Sequence, residues 1–256
     1  MNEEIYQICS IVAAGKKAIQ TGSMIQYIPE RYENVEFSFL PEKKLFRTKK
    51  YIAPNVSAWF TYMKKRGLQD IKFLCPVTVK DRQLLGFLNM AKSCILCFFQ
   101  NGKTSYFVAD WQFDSEKKRW NILYTEHEWT NPPPEKPRFE NNTDSFRQVL
   151  SEIQSFADQI GFKGFVQIFK AAINLLDGSN EYPDEKYGLA LPKIPQDHLQ
   201  IFEAASCADV FGAMGSWNDS PSCTAHEKGL DKEYENLSNE LLKNIRLALL
   251  YAVNEW

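Results

Sequence analysis

The chain has 256 residues, a formal net charge of −2 and 44% hydrophobic residues. This is enough apolar material for one large domain or two ordinary ones, and it excludes a wholly disordered chain. The balanced charge argues against nucleic acid as an obligatory partner. No apolar run has the length needed to cross a bilayer, and the acidic start MNEEIYQICS lacks the basic region of a signal peptide. We therefore expect a cytoplasmic protein with no membrane partner.

The first half of the chain alternates helical and strand-like patterns. In chain order, these predict a helix over 3–20, strands over 33–40 and 44–53, a helix over 53–67 and a strand over 70–79. Pro54 suits the first turn of the second helix, and Gly67 suits its C-cap.

Residues 93–129 give the clearest local prediction, a three-stranded antiparallel meander. Asn101 and Gly102 separate its first two strands, and both residue types tolerate the positive φ that a tight hairpin turn requires. A longer polar turn separates the last two strands. Together with the helices before it, the meander predicts an α+β domain over 1–140 with a mostly antiparallel sheet.

Residues 131–144 interrupt these patterns with four prolines among polar residues. We interpret the segment as a linker or connecting arm. After it, apolar spacing predicts helices over 141–161, 162–178, 197–210 and 231–256, with a long loop over 179–196. The sequence thus predicts a second, mainly helical domain over 141–256, an irregular bundle of about four helices.

Six cysteines are scattered along the chain, which favours reduced thiols over a disulfide framework. Cys94 and Cys97 form a C-x-x-C pattern inside a strand-like run. A redox pair of this kind normally opens a helix, and no second pair is present to complete a zinc site. We expect structural thiols and no metal site.

Residues 208–221, ADVFGAMGSWNDSP, form the most unusual stretch, which we call the signature turn. Gly212 is suited to a left-handed helix cap and Gly215 to a second sharp turn. We expect Met214 and Trp217 to fold back into the core. The favoured interpretation is a packed structural turn.

A binding loop is the alternative interpretation of the same stretch. Two closely spaced glycines expose backbone N–H groups, and Asn218 and Asp219 offer directed hydrogen bonds. The phosphate-loop and nucleophile-elbow motifs are absent, so we assign no catalytic residue and no cofactor. The candidate binding residues are Gly212, Gly215, Ser216, Trp217, Asn218, Asp219 and His226.

The stretch VFGAMGSWND resembles the Phe-Gly-Gly-Met-Gly-Ser-Trp/Leu-Asn-Asp signature of small, mostly helical bacterial proteins. Some of these families resemble immunity proteins of toxin–immunity systems. The resemblance covers the C-terminal half and departs from the pattern at Ala213, where glycine is commoner, so left-handed geometry is less expected there. The whole chain also resembles a protein family of gut Firmicutes. The resemblance implies a partner-binding role and identifies no catalytic residue.

Three histidines offer further candidates. His127 lies between two glutamates that a strand would place on the opposite face, which argues against a His/Glu metal cluster. We expect His198 at the surface and His226 as a solvent-facing or capping residue. A triad of Ser216, His226 and Asp219 can be drawn, but it lacks an oxyanion-hole motif.

Large aromatic residues concentrate in the meander, where one face must pack on helices. More of them are present than one face is expected to bury, so an exposed aromatic strip is a second candidate binding surface. Its residues are Trp111, Trp120, Tyr124 and Trp129. Cross-strand aromatic pairs within the core are the favoured alternative.

Three functional hypotheses follow. The first is a non-enzymatic protein-interaction factor, immunity-like or defence-associated, with a protein partner. The second is a sensor that binds a small molecule or nucleotide between the two halves. The third, a hydrolase or nuclease using Asp209, Asp219, His226 or Glu227, is the least favoured, because the sequence does not show that these groups converge.

Overall fold

The fold is α+β, as predicted, in a computed structural model that describes residues 2–29, 33–44, 47–79, 93–178, 193–212 and 214–256. The described helices are α1 (Glu3–Thr21), α2 (Val56–Lys65), α3 (Thr143–Ile160), α4 (Lys163–Leu176), α5 (Gln196–Ala208), α6 (Ser220–Glu227) and α7 (Asp231–Asn254). The described strands are β1 (Glu33–Ser38), β2 (Glu42–Lys44), β3 (Arg47–Lys49), β4 (Ile52–Ala53), β5 (Leu68–Leu74), β6 (Cys94–Phe99), β7 (Thr104–Asp114) and β8 (Arg119–Glu128).

Six of the strands form one sheet in the order β4-β1-β8-β7-β6-β5, and β2 and β3 form a separate hairpin. The predicted meander is confirmed as β6, β7 and β8, all antiparallel. Gly102 adopts a φ of 76° in the first hairpin turn. The sheet departs from the antiparallel pattern where β1 pairs with β8 in parallel.

In the first half of the chain, some strands and helices begin or end at residues other than those predicted. The strand predicted over 44–53 is divided, because β3 and β4 are separate elements that belong to different sheets. Pro54 does not lie in the first turn of α2, since Asn55 caps that helix by accepting a hydrogen bond from the Ala58 N–H at 2.8 Å. Gly67 follows the helix end with a φ of 85°, a conformation that glycine adopts without a steric cost.

One face of the sheet supports α1 and α2. Alternate residues of β7 and β8 point to this face, so Phe107, Trp111, Ile122 and Tyr124 are all buried there. α1 packs on β5 and β6, and α2 packs near β1, β4 and β5.

The helical half contacts the sheet at its β5 edge. α7 packs against β5 and α1, and the Asn254 side chain bonds to the backbone of Phe73. Buried residues of both halves belong to a single hydrophobic cluster. The division of the chain near residue 140 stays a prediction.

The segment predicted as a linker contacts the sheet. Lys136 pairs with Asp70 of β5 at 2.8 Å and lies over the Phe98 ring of β6. α3 begins at Thr143, inside the predicted linker, and α6 is a short helix that no sequence pattern predicted. Of the predicted loop over 179–196, residues 179–192 lie outside the described residues.

Candidate functional site

Trp217 anchors the signature turn in the helical core. Its side chain is fully buried, and its Nε1 donates a hydrogen bond to the Ser238 hydroxyl at 2.8 Å. The Tyr234 hydroxyl donates to the Trp217 carbonyl at 2.8 Å. The indole ring packs against aromatic rings from three helices, namely Phe156, Phe165, Phe169 and Tyr234.

The polar side chains of the turn bond to the turn itself. The Asp219 carboxylate accepts from the Gly215 N–H at 2.8 Å, and the Ser216 hydroxyl donates to the Gly212 carbonyl at 2.9 Å. The Asn218 amide donates to the same carbonyl at 3.4 Å, and the Asn218 N–H donates to the Ser216 oxygen. The bonds to the Gly212 carbonyl and from the Gly215 N–H join residues four to six positions apart within the turn.

The two glycines have different conformations. Gly215 has a φ of 80°, in the left-handed region that favours glycine. The prediction that Gly212 caps α5 in a left-handed conformation is wrong, because only Gly215 has a positive φ among the described residues of the turn. The prediction made for Ala213 lies outside the described residues.

Met214 does not fold back into the core, contrary to the sequence-based expectation. Its side chain is 94% exposed, the largest exposed fraction among the large hydrophobic residues that the structure describes. The reason is geometric: the carbonyl of Gly212 and the N–H of Gly215 are both engaged inside the turn, so the side chain of Met214, next to Gly215, projects outward.

His226 lies on α6 and is exposed, with its Nδ1 2.8 Å from the carboxylate of Asp231. The structure does not bring Ser216, His226 and Asp219 together as a catalytic triad. Ser216 bonds to Gly212 and Asp219 bonds to Gly215, while His226 uses a different carboxylate. Neither His226 nor Asp219 bonds to the Ser216 hydroxyl, so this triad supplies no base for it.

The second candidate surface is wrong for two of its four residues. Trp111 and Tyr124 are buried on the inner face of the sheet, and the Tyr124 hydroxyl donates to the Gln7 side chain of α1 at 2.7 Å. Burial raises the Tyr124 pKa well above its ordinary value. Trp120 and Trp129 are half-buried, and Trp120 makes an edge contact with Phe113, which is 55% exposed.

The C-x-x-C pattern lies in β6, where burial raises the Cys94 pKa to about 12 and the Cys97 pKa well above its ordinary value. Such thiols are poor nucleophiles near neutral pH, because the thiolate is the reactive form. Within the described ranges, no three His, Cys, Asp or Glu side chains are grouped closely enough to hold a metal ion.

The other two histidines differ in burial. His127 is exposed and stacks on Tyr106, with ring centroids 5.2 Å apart. The expectation that His198 lies at the surface is wrong. It is buried and stacks on Tyr251 of α7, because α7 packs along α5.

An ion pair that was not predicted from the sequence joins the partly exposed Arg66 to the buried carboxylate of Glu126. This carboxylate accepts from the Arg66 guanidinium at 2.7 Å, from the Ser105 hydroxyl at 2.8 Å and from the Leu40 N–H at 3.1 Å. The alternation of β8, in which Ile122 and Tyr124 face inward, places Glu126 on the same face. The two-residue alternation of this strand was therefore the sequence signal that could have predicted a buried carboxylate at Glu126.

An open groove of about 820 Å³ lies between α3 and the first turns of α7. Its walls carry hydroxyl, amide and charged side chains, and Phe156 connects it to the ring cluster around Trp217. None of the helices in the described part of the chain is both long and apolar enough to span a membrane.

Comparison with known proteins gives no match: no family model, no curated protein sequence and no solved structure is significantly similar to this chain. The geometry of the site is therefore the basis for any functional assignment.

Proposed function

We propose that the chain is a non-enzymatic protein-interaction factor, immunity-like or defence-associated, whose protein partner contacts the tip of the signature turn. The observation that carries the proposal is Met214, which is 94% exposed on a turn held by its own hydrogen bonds. A preorganised loop loses little conformational entropy on binding. Methionine is also enriched in protein interfaces relative to other surfaces.

The hydrogen bonds of the turn support a binding role over a catalytic one. The Ser216 hydroxyl and the Asp219 carboxylate are both engaged in holding the loop. His226 is bonded to Asp231, so the three groups of the drawn triad have separate partners. All six cysteines are free thiols, which supports a reducing compartment such as the cytoplasm.

Substitution of Met214 by glutamate tests the proposal. The wild-type chain and Met214→Glu are each immobilised and exposed to lysate of a gut Firmicute, and captured proteins are quantified by mass spectrometry. We expect one protein, captured in stoichiometric amount by the wild type, to be lost with Met214→Glu. The reason is that the carboxylate introduced at position 214 would be buried in the complex without a partner of opposite charge. Thermal melts of the free variant should match the wild type, because the side chain makes no core contact.

Met24→Glu is the matched control, since Met24 is also exposed, at 58%, but lies outside the turn. It should retain the partner. Equal capture by Met214→Glu and the wild type would contradict the proposed contact. Absence of any partner, together with thermal stabilisation by a metabolite, would favour the sensor hypothesis instead.

A further inference from the structure

Arg246 of α7 is a buried cation whose donors are not all used. Only 2% of the residue is exposed. Its guanidinium lies near the Cys75 thiol, which follows β5, and its positive charge lowers the pKa of that thiol against the effect of burial. Among the described residues, its Nε and Nη1 have no hydrogen-bond partner.

Among the described residues, no group forms an ion pair with Arg246. Burial raises the pKa of Cys75 to about 11 and that of Cys9 well above its ordinary value, so both thiols are neutral at pH 7. Asp209 is near enough to raise the Cys75 pKa further, but it forms no ion pair with Arg246.

A buried charge in a folded protein is normally paired, because the interior solvates it poorly. Unsatisfied buried donors are equally uncommon, and each one calls for a missing partner such as an ion or a water molecule. Water would satisfy the N–H groups of Arg246 and leave its charge unbalanced. An anion satisfies both requirements.

We propose that Arg246 anchors a binding site for a small oxyanion, a carboxylate or a phosphate, at the place where α7 meets α1 and the end of β5. The oxygens of the anion accept hydrogen bonds from the guanidinium nitrogens that have no other acceptor. The planar guanidinium matches carboxylate and phosphate oxygens better than it matches a spherical halide. The site does not include Met214 at the tip of the signature turn, so it is independent of the proposed partner contact.

Anion-dependent stability tests the site. The melting temperature of the full chain is measured while sodium chloride is replaced, at constant ionic strength, by inorganic phosphate in one series and by acetate in another. We expect a saturable rise in one series, which identifies the class of oxyanion. Arg246→Met should weaken the apparent affinity by about ten-fold or more, since a charge-assisted hydrogen bond is lost.

Phosphate also stabilises folded proteins by exclusion from their surface, so a matched variant is needed. Arg119 of β8 also has a buried Nε without a partner in the described structure, but β8 lies three strands away from β5 in the sheet. Arg119→Met should respond to anions as the wild type does. A saturable response that survives in Arg246→Met, or no response beyond chloride in either series, would overturn the proposal.

A measurement on the wild type alone keeps the test independent of folding in the variant. The ¹⁵N resonance of the Arg246 Nε–H, assigned by NMR, should shift in a saturable way during titration with the anion that raises the melting temperature. An unchanged resonance at saturating phosphate and acetate would refute the site.

Discussion

Asp219 closes the second half of the signature turn, because its carboxylate accepts a hydrogen bond from the Gly215 N–H at 2.8 Å. Asp219→Ala removes this acceptor and leaves Gly215 in its left-handed conformation without support. We expect a loss of about 1 kcal/mol in the free energy of unfolding, typical of one intramolecular hydrogen bond. Urea denaturation followed by tryptophan fluorescence measures the change, since Trp217 lies within the affected region.

Asp219→Asn separates the hydrogen bond from the charge. The amide oxygen can still accept from the Gly215 N–H, so this variant should lose less than half as much stability as Asp219→Ala. Equal losses would show that the carboxylate acts through its charge, and the bond to Gly215 would then not be the main contribution.

The sequence allowed the role of Trp217 to be predicted, but not that of Met214. Both are large apolar side chains three residues apart in a glycine-rich stretch with no helical or strand period. The direction of each depends on the φ of 80° at Gly215 and on bonds to the Gly212 carbonyl, which residue types alone do not specify. His198 was misplaced for a similar reason, since its burial depends on how α5 packs on α7.

At the scale of elements, Asn254 at the end of α7 covers an open edge of the sheet. β5 is an edge strand, and the Asn254 amide accepts from the Phe73 N–H and donates to the Phe73 carbonyl, each at 2.8 Å. Asn254→Ala leaves both backbone groups without partners. We expect a loss of about 3 kcal/mol in the free energy of unfolding, together with faster hydrogen exchange at the Phe73 amide.

Asn236→Ala is the matched control, because Asn236 is exposed on the same helix. It should change stability by less than about 0.5 kcal/mol and leave exchange at Phe73 as in the wild type. Protection of the Phe73 amide that persists in Asn254→Ala would show that another group covers the strand edge.

Local elements were predictable and distant pairings were not. The meander of β6, β7 and β8 was found because its strands are consecutive and are joined by short turns with characteristic residues. The parallel pairing of β1 with β8 joins residues more than 80 positions apart, and no periodicity within either strand specifies it. The capping of β5 by Asn254 is equally remote in sequence.

For the whole molecule, the buried thiols predict a loss of stability at alkaline pH. Burial raises the pKa of Cys75 and Cys207 to about 11 and that of Cys94 to about 12. It also raises the pKa of Cys9 and Cys97 well above the ordinary value of 9.0. Above pH 9 the unfolded chain therefore releases protons that the folded chain keeps. The contribution of the buried thiols to the free energy of unfolding is fully present below pH 9. It is lost as the pH rises towards the pKa values of these thiols in the folded chain.

Each such thiol lowers the free energy of unfolding by up to about 1.4 kcal/mol per pH unit in this range. Tyr124 acts in the same direction, because burial raises its pKa too. Lys16 acts in the opposite direction, since burial lowers its pKa from 10.5 and the folded chain then loses that proton first. One opposing lysine does not outweigh five thiols and a tyrosine, so the net slope should be negative. Urea denaturation between pH 8 and 10.5, in the presence of a reductant, measures it.

Two cysteine variants test whether the buried thiols cause the decline in the free energy of unfolding above pH 9. Cys97→Ala removes a fully buried thiol and should make the decline above pH 9 shallower by up to about 1.4 kcal/mol per pH unit. Cys223→Ala removes an exposed thiol and should leave the slope unchanged. If both variants kept the wild-type slope, the alkaline loss would have to come from groups other than the thiols, and the buried cysteines would not titrate as their burial requires.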